Sequence, residues 1–269
     1  MDPVVSLTGV SKRFIIQPER PRSFLEHFLS LPYWFRRQRA DSDKREFWAV
    51  RDVSFEVPRG QLVTFIGSNG SGKSTTLKLI AGILRPTTGS MAISGRLAAM
   101  LELGTGFHPD LTGRENIFLS GAILGLSTSE IKSIVDDIVE FADIGDFIGV
   151  PVRNYSSGMY VRLGFAVASH VHADILLIDE VLAVGDEAFT HKCLDKFAEF
   201  RRRGKTILLV THSLNLVERF CDEAMWLDEG QSRGIGDPRR VVSAYIVDVE
   251  KPIGAIVQFG GQTPLNICR

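Results

Sequence analysis

The segment GSNGSGKS, residues 67–74, places three glycines, a lysine and a hydroxyl at the spacing G-x-x-x-x-G-K-[ST]. Such a stretch binds phosphate by elementary means. Gly67, Gly70 and Gly72 let the backbone take tight, partly left-handed turns, so that successive N–H groups point at phosphate oxygens, and a helix opening directly after them adds its positive end. On this reading Gly67, Ser68, Asn69, Gly70, Ser71, Gly72, Lys73, Ser74 and Thr75 cradle a polyphosphate. Lys73 reaches the β and γ phosphates, and Ser74 gives its hydroxyl to Mg²⁺. A magnesium ion held by one hydroxyl and two phosphates still needs a carboxylate nearby. ILLIDE (175–180) supplies it: four apolar residues form a buried strand whose end presents Asp179 to the metal and Glu180 to the γ phosphate. Glu180 is then the general base that orients or deprotonates an attacking water. An apolar run ending in Asp-Glu is by itself more often a strand leaving the core. Paired with the glycine loop, it reads as machinery for hydrolysing a nucleoside triphosphate.

These groups work only if strands and helices place them. QLVTFIG (61–67) is a near-continuous apolar run ending in glycine and reads as a central strand, followed after the loop by a helix over KSTTLKLIAGIL (73–84). VVSLTGVSKRF (4–14) and WAVRDVSFEVP (48–58) alternate as half-buried strands do, and two short strands follow near 90–94 and 96–103. From about 112 to 172 the pattern turns helical, in TGRENIFLSGAILGL, TSEIKSIVDDIVEFADI with a Thr-x-x-Ile start, and SSGMYVRLGFAVASHVH. Strand and helix then alternate again through DILLIDE (174–180), 187–203, KTILLVTH (205–212), 214–221, EAMWLDEG (223–230) and a last helix near 238–249. Apolar strands alternating with amphipathic helices imply a parallel sheet covered on both faces. The segment 251–269 carries Pro, Gly and Gln without periodicity and is expected to be a loosely held tail.

Composition excludes several classes. With 31 basic and 32 acidic residues the net charge is −1, so no global field draws the chain to nucleic acid or to anionic lipid. Cys193, Cys221 and Cys268 fall in no metal-ligand spacing and are expected to be small apolar residues in a reducing compartment. No apolar run approaches the roughly 20 residues that span a bilayer, and the opening MDPVVSLTGVSK lacks a signal-peptide layout. The expectation is a soluble protein of the cytosol. None of the Asn residues is followed by lysine, so the N-K-x-D base reader of guanine-nucleotide switches is missing. Small kinases rarely separate the two phosphate motifs by about 100 residues containing a helical insertion.

At this point the sequence resembles the ABC transporter ATPase family, over most of its length to about residue 245. YSSGM (155–159), followed by VRLGFAVA, is similar to the family signature LSGGQ, with Ser156 and Gly158 matching and Ser157 and Met159 departing. In that family the serine hydroxyl, a glycine N–H and the helix dipole meet the γ phosphate of ATP bound to the opposite subunit, so Ser156, Ser157 and Gly158 are candidate nucleotide contacts across a homodimer. Capping of the helix by Ser156 uses the same donors. AVGD (183–186) resembles the family's D-loop, and His212 sits where the family places a switch histidine on the γ phosphate. Where the family has a glutamine loop, this chain reads LELGTGFHP (101–109), with Glu102 or Leu103 at the place; Glu102 is the assignment, as a metal or water ligand. The family stacks an aromatic on adenine, for which Phe14, Phe47 and Trp48 are candidates. The implied fold is α/β, a P-loop NTPase of ABC ATPase type: a mainly parallel RecA-like sheet (core about 1–103 and 173–250), an antiparallel β edge subdomain and a helical subdomain insertion (about 104–172).

FWAVRDVSFEVPRG, ELGTGFHPDLTGRENIFLSG and DEVLAVGDEAF are similar to exporters of O-antigen, capsular polysaccharide and teichoic acid. The resemblance implies two copies of this chain with two permease chains, on the cytoplasmic face of the inner membrane, using ATP and Mg²⁺ to export a lipid-linked glycan. The alternatives are a soluble ABC-type ATPase acting on ribosomes or DNA, and an ABC importer subunit. The insert at about 18–46 holds Phe24, Phe28, Leu31, Trp34 and Phe35 among basic residues at roughly helical spacing. Packing against the permease or membrane interface, covering the nucleotide base, and serving as a linker are all open to it.

Overall fold

A computed structural model describes residues 3–16, 45–100, 104, 106–179, 187–250, 255–257 and 265–267. The expectations for Glu102, Glu180, AVGD and Cys268, and for all of the insert except its last two residues, lie outside this set. Arg45 and Glu46 belong to a strand. In chain order the elements are β1 (Pro3–Ile16), β2 (Arg45–Pro58), β3 (Leu62–Ile66), α1 (Lys73–Ile80), β4 (Thr88–Ile93) and β5 (Leu97–Met100). Three helices follow: α2 (Gly113–Ile123), α3 (Thr128–Ala142) and α4 (Ser157–Ser169). Then come β6 (Ile175–Asp179), α5 (Glu187–Arg202), β7 (Thr206–Val210), α6 (Leu214–Phe220), β8 (Glu223–Asp228), β9 (Gln231–Gly236) and α7 (Pro238–Glu250).

The main sheet runs β5-β6-β7-β3-β8-β9, parallel from β5 to β8 with β9 antiparallel at one edge. Its apolar runs are continuous because both faces are covered. Val63, Phe65, Ile175, Leu177, Leu208 and Val210 pack with Leu77 and Ile80 of α1 and with Val5, Val53 and Phe55 of a second sheet. Leu62, Leu176, Ile178, Ile207 and Leu209 face the other way, onto Phe165, Phe189 and Phe197. The second sheet, β2-β1-β4, is antiparallel throughout. The expected class is therefore observed, with two departures at the ends. The polar stretch QSRGIG forms the unpredicted strand β9, and Ala255–Val257 pairs with Leu265–Ile267 as a short antiparallel ladder inside the segment expected to be a loose tail.

The helices are closed by side chains at their starts. Thr112 and Glu115 form a capping box on α2, and Ser127 with Glu130 forms one on α3, so α3 is capped at Ser127 and not through the Thr-x-x-Ile pattern. Hydrogen bonds donated by Thr112 hold the Glu115 carboxyl below its usual range. Helix α1 ends at Ile80, four residues before the sequence pattern fades, because Gly82 turns left-handed and donates to the Leu79 carbonyl. Burial pushes the thiols of Cys193 and Cys221 up to about 12, which keeps both as neutral, apolar filling.

Asn116 on α2 is 0% exposed. Its Nδ2 lies 3.0 Å from each of the carbonyl oxygens of His108, Leu111 and Thr112, sharing two hydrogens among the three, while its Oδ1 accepts from the His108 N–H at 2.7 Å. It staples the segment leading out of the main sheet to the helical layer. Asn116→Leu keeps the branched shape but strands the His108 N–H, while the three carbonyls keep the N–H donors of Leu111, Val152 and residue 116, and should cost about 1–3 kcal/mol in urea unfolding. A cost below about 1 kcal/mol would show that the segment finds other partners.

Candidate functional site

Strand β7 lies between β3 and β6, and all three are parallel, so their carboxyl ends meet at one edge of the sheet. Open parallel sheets bind ligands at that edge. The glycine loop leaves β3 there, Asp179 is the last residue of β6 and the register partner of Val210, and His212 lies two residues beyond β7. A cleft of about 220 Å³ is lined by Phe47, Ala49, Asn69, Gly70, Gly72, Lys73, Ser74, Thr75, Asp179, Val210 and His212. Two lining residues, Ala49 and Val210, were not singled out in the sequence. Ala49 is the extra residue of a bulge in β2, between Trp48 opposite Arg13 and Val50 opposite Lys12, which no alternating pattern marks; Val210 follows from the pairing with Asp179.

The loop is built by close approach. A Cβ on Gly67 would stand 2.1 Å from the Leu227 carbonyl oxygen, and one on Gly72 would stand 2.5 Å from that of Ala49. Lys73 is buried, and its Nζ donates to the carbonyls of Gly67 at 2.7 Å and Ser68 at 2.8 Å, curling the loop over its own ammonium. Gly67, Ser68 and Ser71 thus frame the cleft without lining it. Thr76 secures the start of α1 by donating to the Gly72 carbonyl at 3.0 Å. What results is a concave ring beside an ammonium, a hydroxyl from Ser74, a carboxylate from Asp179 and an imidazole from His212. Such a set can hold a polyphosphate and present a hard cation with oxygen ligands.

Other candidates fall elsewhere. Ser156 caps α4 by accepting from the Met159 N–H at 3.2 Å, and Ser156 and Ser157 are exposed with Gly158 half-buried; none of the three lines the cleft. Phe14 pairs with Phe47 across β1 and β2, yet only Phe47 reaches the cleft, while the Phe14 ring sits 5.3 Å from the Lys12 ammonium. Trp48 carries the guanidinium groups of Arg13 and Arg51 at 5.7 and 5.8 Å and also stands off the cleft. His212 belongs to the bend after β7 and not to the strand; the Ser213 N–H donates to Thr211 Oγ1 at 3.1 Å to shape that bend.

The model of the ABC transporter family matches residues 50–183. The O-antigen export system ATP-binding protein RfbB of Klebsiella pneumoniae is 50% identical over 201 residues, covering 75% of this chain and 82% of that protein. Its namesake in Myxococcus xanthus is 53% identical over 212 residues, 79% of this chain and 48% of that longer protein. The teichoic acids export ATP-binding protein TagH of Bacillus anthracis is 48% identical over 203 residues, 76% of this chain and 37% of that protein. This chain therefore spans about half or less of the longer relatives. Among solved structures, a dimeric post-hydrolysis ATP-binding cassette bound to ADP and Pi aligns with TM-score 0.67 at 21% identity, covering 87% of this chain and 99% of that one. An ATP-binding subunit of an ABC transporter aligns with TM-score 0.69 at 23% identity, covering 90% and 93%. At such identities these two speak for the fold alone. Half of the aligned residues identical across four fifths of the Klebsiella protein says more, and the chain belongs to the ABC transporter family as one of its ATP-binding proteins.

Proposed function

We propose that the chain is the ATP-binding and ATP-hydrolysing subunit of an ABC exporter that moves a lipid-linked polysaccharide across the cytoplasmic membrane. The carrying observation is the division of the expected site: Lys73, Ser74, Asp179 and His212 share one cleft, while Ser156 caps a helix outside it with Ser157 and Gly158 in that helix's first turn. One chain then holds half a site. Two chains arranged head-to-tail would bring the exposed start of α4 of one onto the γ phosphate held by the other, where Ser156 and the helix end donate to it.

Among the described residues no cluster of three or more His, Cys, Asp or Glu could hold a metal alone. Ser74 and Asp179 fit Mg²⁺ as two hard oxygen donors, with the nucleotide's phosphates completing the shell. Bound there, the cation would neutralise charge that builds on the phosphates during cleavage. The chain's own residues do the rest. Lys73 and the loop N–H groups fix the β and γ phosphates, Phe47 stacks on the base, Glu180 takes a proton from the attacking water, and His212 orients the γ phosphate. Loss of the γ phosphate removes the contact that joins the two chains, so hydrolysis opens the pair and that opening drives the permease.

The names of RfbB and TagH, ATP-binding proteins for export of O-antigen and of teichoic acids, support a glycan cargo, and the proposal adds a place on the cytoplasmic face of the membrane beside two permease chains. No helix among the described residues is long and apolar enough to cross a membrane. The test is recovery of tagged Glu180→Gln protein from native membranes with ATP·Mg²⁺, followed by mass spectrometry. A multi-span permease with a lipid-linked glycan is expected; ribosomes or DNA with no membrane protein would overturn the exporter reading.

A further inference from the structure

The turn between β8 and β9 touches both walls of the cleft. Asp228 and Gln231 pair, leaving Glu229 (φ 46°) and Gly230 (φ 78°) as the two central residues, both left-handed as the tightest hairpin turns require. Glu229 holds this conformation without being glycine, a strain that needs support from its surroundings. Gly230 is buried, and its backbone is used in two directions. Its N–H donates to the Ser71 carbonyl of the phosphate loop at 3.0 Å, and its carbonyl accepts from the Arg51 N–H of β2 at 2.7 Å. A Cβ at Gly230 would lie 2.8 Å from the Ala49 oxygen, 3.0 Å from the Ala49 carbonyl carbon and 3.2 Å from the Val50 Cα. Gly72 closes the same corner, its own missing Cβ pointing at the Ala49 oxygen with the Gly230 Cα 3.4 Å away. Three segments distant in sequence therefore meet at one backbone atom set: the loop that holds phosphate, the strand that carries Phe47 and Ala49, and the hairpin turn.

We infer that Gly230 is a positioning residue that fixes the distance between the base subsite on β2 and the phosphate loop. The inference rests on the nucleotide reading of the cleft and adds to it a third segment that touches no ligand. Its physical content is directional. The three atoms nearest an added Cβ all belong to β2, and none belongs to the phosphate loop. An added methyl group at 230 therefore displaces β2, and Phe47 with it, away from a loop that Lys73 holds together internally through Gly67 and Ser68. Base and phosphates would then no longer be reached at once by a single rigid ligand.

The test compares ATP with inorganic tripolyphosphate, which offers the phosphates and no base, by calorimetry on the whole chain with Mg²⁺. Gly230→Ala should weaken ATP by about tenfold while tripolyphosphate stays within about twofold of the unsubstituted chain. Phe47→Ala should reproduce that split, since it deletes the base contact directly. Gly234→Ala, on the same hairpin with nothing within 4 Å of its Cβ, should change neither ligand. Equal loss of both ligands in Gly230→Ala, no loss of either, or a matching effect from Gly234→Ala would each overturn the inference. If the unsubstituted chain binds neither ATP nor tripolyphosphate, the nucleotide reading itself has failed, and that outcome is read from the wild type alone.

Discussion

Glu180→Gln should bind ATP as tightly as the unsubstituted chain, within about threefold, while its steady-state turnover falls by about 10²–10⁴. The reason is the sign of charge. A carboxylate beside the γ phosphate repels the bound ATP and helps only when a proton must leave the attacking water. The amide keeps the shape and loses the basicity, so ground-state binding is spared or improved. With cleavage blocked, the ATP proposed to join two half-sites is never consumed. The variant should therefore run as a dimer on a sizing column with ATP·Mg²⁺ and as a monomer with ADP. Retained turnover would remove Glu180 from the role of base; lost turnover without an ATP-dependent dimer would remove the head-to-tail pairing while leaving the base in place.

Lys73→Ala is expected to raise the dissociation constant for ATP by at least about 100-fold, because charge-assisted contacts to phosphate contribute about 1.5–3 kcal/mol each. The loop should suffer too. The Lys73 ammonium also bonds to the Gly67 and Ser68 carbonyls, so its removal leaves two oxygens to find water and should lower the melting temperature by a few degrees. Both effects are read from one preparation, by calorimetric titration and thermal melting. Affinity within about threefold of the unsubstituted chain, on a protein that melts cooperatively, would mean that Lys73 holds the loop and not the ligand.

Much of this site is a matter of local chemistry, and local chemistry is written in order along the chain. GSNGSGKS announces a phosphate loop because glycine backbones, a lysine and a helix start are neighbours in sequence as well as in space. ILLIDE announces a buried strand ending in acid for the same reason, and Ser156 is legible as a cap because its partner, Met159, is three residues on. Apolar runs over 62–66, 175–179 and 206–210 likewise declare strands covered on both faces.

What the chain order does not contain is which strand lies beside which. The insertion of β7 between β3 and β6 brings Asp179 and His212 to the glycine loop, and it rests on pairings such as Leu62 with Ile207 and Asp179 with Val210 that join segments far apart. Three aromatics with equal claims in sequence are sorted by the twist and register of β1 and β2: Phe47 faces the cleft, Phe14 lies near Lys12 and Trp48 near two arginines. Strand β9 is invisible to any hydrophobic pattern because QSRGIG is a polar edge that pairs with β8 through backbone bonds and through Arg233 on Asp228. Gly230 is one glycine among 25 until folding presses it between Ser71 and Ala49. By itself the sequence determined the elements and the chemical groups they carry, since these depend on side chains a few residues apart; only the tertiary structure decided which groups share a cleft, since that depends on backbone pairing and close approach between segments with no local mark of their partners.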